Sequence, residues 1–275
     1  MPAFESAPAE PVLLRRDGAV AILQLNRPAA FNALDVPTAQ AFLAACQRLA
    51  EADDIRAVVL SGAGRSFGVG GDLAAMRDDG AGVAAQLIDS LHPAVRILEA
   101  LDAPVIASLQ GAVAGGSMSL ALSADLAIAA EDATFSHAEQ RLGLAGNTWH
   151  LNSQILMYGA KKARELLLLG DNFDGRDAER MGLVNRAVPL AELESTVEDW
   201  ARRIARHARD ALVTGKAMHQ MALDSLGGSQ QFWRGYVGHT LGTNLRFEED
   251  EFNFLRERAR GGTTKTFKRR DDSFE

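Results

Sequence analysis

Three segments of the chain carry residue types whose order and spacing could do chemistry. The first is Gly62-Ala63-Gly64-Arg65-Ser66-Phe67-Gly68-Val69-Gly70-Gly71-Asp72-Leu73, where five of the ten residues from 62 to 71 are glycine. Glycines at this density let backbone approach a ligand closely and turn free N–H groups into a pocket. Neither common nucleotide loop fits, because Phe67 breaks the G-x-G-x-x-G pattern and no Gly-Lys-Ser/Thr is present. The second segment is Gly111-Ala112-Val113-Ala114-Gly115-Gly116-Ser117-Met118-Ser119-Leu120, which follows an apolar strand and opens a helix. A helix N-terminus offers unpaired N–H groups and partial positive charge to an oxygen that gains negative charge. The third is Glu139, about twenty residues beyond the second loop, within Phe135-Ser136-His137-Ala138-Glu139-Gln140-Arg141-Leu142-Gly143-Leu144. A glutamate alone is an ordinary surface residue. Its place behind two glycine loops, which could together give two donors to one carbonyl oxygen, makes it worth following.

The elements around these segments are those needed to place them. Residues 12–25 (VLLRRDGAVAILQL) read as two strands about an Asp17-Gly18 turn. Asp35 and Pro37 open a helix with Phe42, Cys46 and Leu49 on one face. Arg56–Leu60 is a buried strand that ends in the first glycine loop, and Pro104–Leu109 is another that ends in the second. Residues 83–101 and 117–124 read as helices, and Leu126–Ala129 and Thr134–Phe135 as short strands. Alternation of strand and helix implies an α/β class. The expected organisation is an α/β core over residues 1–190 and a helical region over 191–275, divided near Pro189.

Composition narrows the partners. The 275 residues are 47% hydrophobic and 24% charged, ordinary for a globular chain. No apolar run reaches the roughly 18 residues of a membrane-crossing helix, and the N-terminus (MPAFESAPAEPVLL) lacks the basic and apolar stretches of a secretory signal. No membrane partner and a cytoplasmic location are the expectation, and the single cysteine, Cys46, agrees with a reducing compartment. Net charge of −7 argues against nucleic acid as a partner. A phosphorylated small ligand would need a local basic patch, for which Lys265, Lys268, Arg269 and Arg270 are candidates beside the alternative of a solvated end.

The three segments, in this order, resemble the enoyl-CoA hydratase/isomerase (crotonase) superfamily. Further matching stretches are Leu25-Asn26-Arg27-Pro28 with Asn32-Ala33-Leu34, Pro104-Val105-Ile106-Ala107, Ala124-Asp125-Leu126-Ala127-Ile128-Ala129, and Ala178 with Met181-Gly182-Leu183-Val184-Asn185. The resemblance implies a crotonase-like (ClpP-type) spiral of ββα units with a C-terminal helical trimerisation region. It implies an acyl-CoA substrate and a homotrimer or a hexamer built as a dimer of trimers. It implies no metal and no cofactor beyond the coenzyme A of the thioester. By matching motifs, Gly71 and Gly116 give backbone N–H bonds to the thioester oxygen, Val69, Gly70, Gly71 and Asp72 with Gly116 line the coenzyme A moiety, and Asp72 shapes its loop.

The chain departs from the family pattern where hydratases carry a first glutamate, since Ser119 stands there, while Glu139 matches the second. An acidic position of the isomerases falls on Asn147. Enoyl-CoA hydration or double-bond isomerisation with Glu139 as acid/base is the leading expectation. Ser119 could hold a water or a substrate hydroxyl, as in hydroxycinnamoyl-CoA hydratase-lyases, with Tyr236 a possible counterpart of their tyrosine. His137 and His150 are alternative bases, and Trp149 and His150 could narrow an acyl pocket. Two other readings stay open: a serine hydrolase with Ser117 as nucleophile, from the near-match of Gly115–Ser119 to G-x-S-x-G, and a non-catalytic acyl-CoA binder.

Overall fold

The computed structural model describes residues 10–75, 80–137, 139–143, 151–228 and 251–272. Strands β1 (Val12–Asp17) and β2 (Val20–Leu25) form the expected antiparallel hairpin, with Asp17 opposite Val20. Strand β3 (Ala57–Gly62) joins β2 in parallel, followed by β4 (Val105–Leu109), β6 (Leu126–Ala130) and β9 (Arg186–Val188), giving a six-stranded sheet in the order β1-β2-β3-β4-β6-β9. A smaller sheet holds β5 (Ala112–Ala114), β7 (Thr134–Ser136) and β8 (Phe173–Asp174). The chain therefore winds as a spiral whose turns give one strand to each sheet, such as β4 then β5, and β6 then β7. Isolated bridges Gly68↔Val113 and Leu34↔Gly71 extend the smaller layer to the first glycine loop.

Helix α1 (Val36–Ala50) starts where the sequence reading places it. Asp35 caps it by accepting from Thr38 N at 2.9 Å, and Pro37 lies in its first turn. Its buried face, Phe42, Ala45, Cys46 and Leu49, meets helix α2 (Gly80–Ala100) and the sheet. Cys46 is fully enclosed and its thiol pKa is pushed up by that burial, so it is a packing residue. Strand β4 is buried at every position, as a central parallel strand must be.

Beyond the second loop come α3 (Gly115–Leu122), α4 (Leu151–Leu169), which breaks at Gly159, and α5 (Gly175–Met181). Helices α6 (Leu190–Ala205), α7 (Arg209–Ser225), α8 (Phe254–Gly261) and α9 (Thr263–Asp272) follow. Among the described residues no strand follows Val188. Helix α6 nevertheless packs on the large sheet, with Leu193, Val197 and Ala201 in the same apolar cluster as the strands. The change in secondary structure at residue 190 thus does not interrupt the core. No helix of the described residues is long and apolar enough to cross a membrane.

Candidate active site

The first glycine loop is stitched to its neighbours by backbone bonds on two sides. Toward the hairpin, Leu34 N donates to Gly70 O at 2.7 Å and Asp72 N donates to Leu34 O at 2.9 Å. Toward β5, Gly68 N donates to Ala112 O and Ala114 N to Gly68 O, each at 3.0 Å. Asp72 is occupied with the loop itself, accepting from the Arg27 guanidinium at 3.2 Å, from Ala74 N at 3.0 Å and from Ala75 N at 3.3 Å. Arg27 also spans to Asp35 at 3.1 Å and to Ala33 O at 2.6 Å, so one cation joins the start of α1 to the loop. Val69 is 37% exposed at the open side.

The directions of two amides follow from these bonds. A trans peptide is planar with its C=O and N–H opposed, and the chain has no cis bond. Because Gly70 O faces Leu34 N, the Gly71 N–H points the other way. Helix α3 begins at Gly115 with Ala114 as an N-cap that offers no side-chain acceptor, so the Gly116 N–H projects from the helix N-terminus. Neither amide donates to another of the described residues. The two loops meet at Gly70, whose φ is +84°: a Cβ built there would stand 3.0 Å from both Gly116 N and Ala114 O. Any side chain at residue 70 would sit on the Gly116 amide.

Glu139 reaches the same point from behind β7. Its Oε1 lies 3.5 Å from the place a Cβ on Gly115 would take, and Gly70 Cα lies 3.6 Å from that place. The residue as a whole keeps some exposure, but Oε2 is closed off from solvent and accepts no hydrogen bond. Burial pushes the carboxyl pKa above its ordinary value, opposed in part by a backbone hydrogen bond of its own residue. The structure thus brings Gly70, Gly71, Gly116 and Glu139 together. Ser119 is buried on α3, one turn beyond Gly116 on the same face.

His137 is buried with both ring nitrogens lacking a hydrogen-bond partner, and desolvation lowers its pKa to about 4. It is therefore a neutral imidazole at pH 7. Ser117 is fully enclosed and its Oγ accepts from Gly70 N at 3.0 Å. That corrects the nucleophile reading, since a serine nucleophile must face substrate. The contact is also the site feature that sequence reasoning missed, because nothing in Gly-Gly-Ser announces an acceptor for a residue 47 positions away. Asn147, Trp149, His150 and Tyr236 lie outside the described residues. Of the C-terminal basic residues, Arg269 is paired with Glu257 and Arg270 with Asp271, while Lys265 and Lys268 are exposed. Arg258 of α8 donates to Leu73 O, so the C-terminal helices touch the first loop. A separate cleft of about 350 Å³ between the sheet and α6, lined by Arg15, Val20, Val59, Leu193 and Val197, lacks Glu139 and both amides.

Fold and site together define an α/β spiral in which two glycine loops and a partly desolvated carboxylate lie beside one another. The family model for enoyl-CoA hydratase/isomerase matches residues 15–234, and the chain belongs to that family. It is 34% identical over 247 residues to the 1,2-epoxyphenylacetyl-CoA isomerase of Escherichia coli, covering 87% of each chain. It is 32% identical over 242 residues to a probable enoyl-CoA hydratase of Rhodobacter capsulatus, covering 87% of this chain and 92% of that one. Among solved structures, a probable enoyl-CoA hydratase from Mycobacterium smegmatis superposes with a TM-score of 0.78 at 27% identity, over 85% of this chain and 94% of the other. A monofunctional enoyl-CoA isomerase from M. smegmatis superposes with a TM-score of 0.66 at 32% identity, over 78% and 95%. The crotonase-type spiral implied by the sequence motifs is the fold of these proteins.

Proposed function

We propose that the chain catalyses enoyl-CoA hydration or double-bond isomerisation, with Gly71 and Gly116 holding the thioester oxygen and Glu139 moving the proton. The observation that supports this reading is the nearness of two glycine amides to a carboxyl group with one oxygen buried and unpartnered. Chemistry beside a thioester passes through an enolate-like state whose charge falls on the carbonyl oxygen. Fixed N–H donors stabilise that state more than the ground state, and each is typically worth about 10²–10³ in rate. For isomerisation, Glu139 takes a proton from one carbon and returns it to another. For hydration, it takes a proton from water as the oxygen bonds to C3 and then gives that proton to C2 of the enolate. In both, one carboxylate suffices and is regenerated. Ser119, in place of a glutamate, would hold a water or a substrate hydroxyl, and the latter favours a hydroxyacyl or aryl substrate.

The coenzyme A moiety would run along Val69–Asp72 and Gly116, and no further cofactor is required by this chemistry. Exposed apolar side chains on α4 and α7 support a homotrimer or a dimer of trimers, with the helices after residue 190 as the assembling region. The lone reduced cysteine supports a cytoplasmic location.

The deciding experiment presents enoyl-, dienoyl-, aryl- and 3-hydroxyacyl-CoA thioesters in H₂¹⁸O and in D₂O with mass detection. Incorporation of ¹⁸O identifies hydration, and deuterium exchange without addition of water identifies isomerisation. Binding without turnover across the panel, unchanged by Glu139→Gln, would replace the enzyme with a binder.

A further inference from the structure

We propose that Ser117 is a positioning residue for the first amide: its hydroxyl ties the Gly68–Asp72 loop to the N-terminus of α3 and sets where Gly71 N–H stands relative to Gly116 N–H. The proposal rests on the oxyanion reading above and extends it to a residue that touches no reacting atom.

Gly70 is the pivot. Its carbonyl is held by Leu34 N at 2.7 Å, and its N–H is held by Ser117 Oγ at 3.0 Å. The first bond points the Gly70–Gly71 peptide plane, and with it the Gly71 N–H. The second holds the preceding Val69–Gly70 peptide plane, so the two planes that flank Gly70 Cα, a glycine at φ +84°, are fixed relative to each other. The other ties of the loop run to β5 at Gly68, to Leu34 at Gly70 and Asp72, and to the Arg27 guanidinium at Asp72, none of them to α3. Ser117 is thus the side chain that fastens the loop to α3, the helix that supplies the second amide.

The fit around the hydroxyl is close. Ser117 is fully buried, and a Cβ built on Gly68 would come within 2.4 Å of its Oγ and 2.8 Å of its Cβ. Loop backbone therefore lies directly against the serine, with no room for water between them. Replacing serine by alanine keeps the Cβ but leaves the Gly70 N–H buried without an acceptor, so the loop relaxes toward another partner. A shift of about 1 Å at a reacting group can cost on the order of 10²-fold. Because Gly68 stays anchored to β5, the loss should fall below that of removing a donor outright, at about ten- to a hundredfold in rate.

The test uses the full chain and butanoyl-CoA with a ¹³C-labelled thioester carbonyl. Isotope-edited infrared spectroscopy reads polarisation of the bound carbonyl, and deuterium exchange at C2 in D₂O reads the rate. In the wild type the bound carbonyl should move to lower frequency than in the free thioester. Ser117→Ala should retain part of that shift and lose about ten- to a hundredfold in exchange rate, with the dissociation constant within about threefold and melting still cooperative. Ser117→Cys, close in shape but a weak acceptor, should behave alike and carries the test if the alanine variant does not fold. A full carbonyl shift in the folded variants, whatever their rate, overturns the role of Ser117. A wild-type carbonyl that does not shift overturns the oxyanion reading itself, and the tie with it.

Discussion

A carboxyl group with one oxygen shut away from water and unpartnered is an unstable arrangement kept for a reason, and Glu139 is that group here. Its pKa is raised, so between the ordinary glutamate value near 4.3 and the higher folded value the native state binds more protons than the unfolded chain. Stability contributed by this group is therefore lost as pH rises through that window. Glu139→Gln should melt at a higher temperature than wild type at neutral pH, and the difference should vanish toward pH 4, in calorimetric scans across pH. The same substitution removes the proton carrier and should lower turnover about 10²–10⁴-fold while thioester binding persists. The acid limb of the wild-type pH–rate profile should sit above the ordinary carboxylate range. Gly70 gives a second outcome at this scale. Gly70→Ala places a methyl 3.0 Å from Gly116 N and strains a left-handed φ, so turnover should fall about 10²–10³-fold in steady-state assays, with circular dichroism near that of wild type. Of these residues, the two glycine loops and Glu139 could be singled out from glycine density and order, while the choice of Gly71 and Gly116 within those loops came from the family resemblance alone. The blocking position at Gly70 was not, because it depends on a loop from a different strand.

Short elements set where these side chains stand, and His137 shows the balance at the end of β7. Phe135 stacks on Phe173 with ring centroids 5.3 Å apart, so the strand is pinned by an apolar contact and carries the imidazole inward with it. Desolvation lowers the His137 pKa from 6.5 to about 4. Over that interval the unfolded chain binds more protons than the folded one, so stability rises with pH and is lost on acidification. His137→Leu should flatten this slope in urea titrations between pH 6.5 and about 4, a difference on the order of 3 kcal/mol across the interval. The hairpin, β3, β4 and α1 could be read beforehand because each owes its form to local signals: a Gly turn, an unbroken apolar run, an Asp cap. Strand β5 could not, since Ala112–Ala114 is a strand only through pairing with β7 and Gly68, which no local pattern encodes. Helix α6 shows the reverse: its helical pattern is plain, but the face formed by Leu193, Val197 and Ala201 does not say which sheet it will cover.

At the scale of the whole molecule the largest unexplained feature is an apolar surface on the helical side. Met218, Met221 and Leu226 on and just after α7 are 64%, 69% and 62% exposed, and Ile155 and Leu156 on α4 are 45% and 51% exposed. Leu226 adjoins Ile155 and Leu156, because a groove is lined by those two residues from α4 and by Asp224–Gly227 from the end of α7, and Asn152 Nδ2 donates to Gly227 O at 2.8 Å, while Met218 and Met221 stand three residues apart on one face of α7. A monomer rarely leaves a contiguous patch of this kind in water, and a second copy of the chain is the partner that would cover it. Helix α7 is fastened to the core by Lys216, which pairs with Asp125 at 2.8 Å and donates to Leu98 O at the end of α2 and Ala103 O before β4, each at 3.3 Å. On the proposed trimer or dimer of trimers, light scattering should give the wild type the mass of three or six chains. The double substitution Met218→Glu and Met221→Glu should shift it to one chain, since like charges on facing copies repel and cannot be desolvated. Lys216→Met should instead lower the melting temperature, through loss of charged hydrogen bonds worth about 1.5–3 kcal/mol each, before it changes the mass. A wild type that runs as a single chain at micromolar concentration would leave the apolar face without this partner.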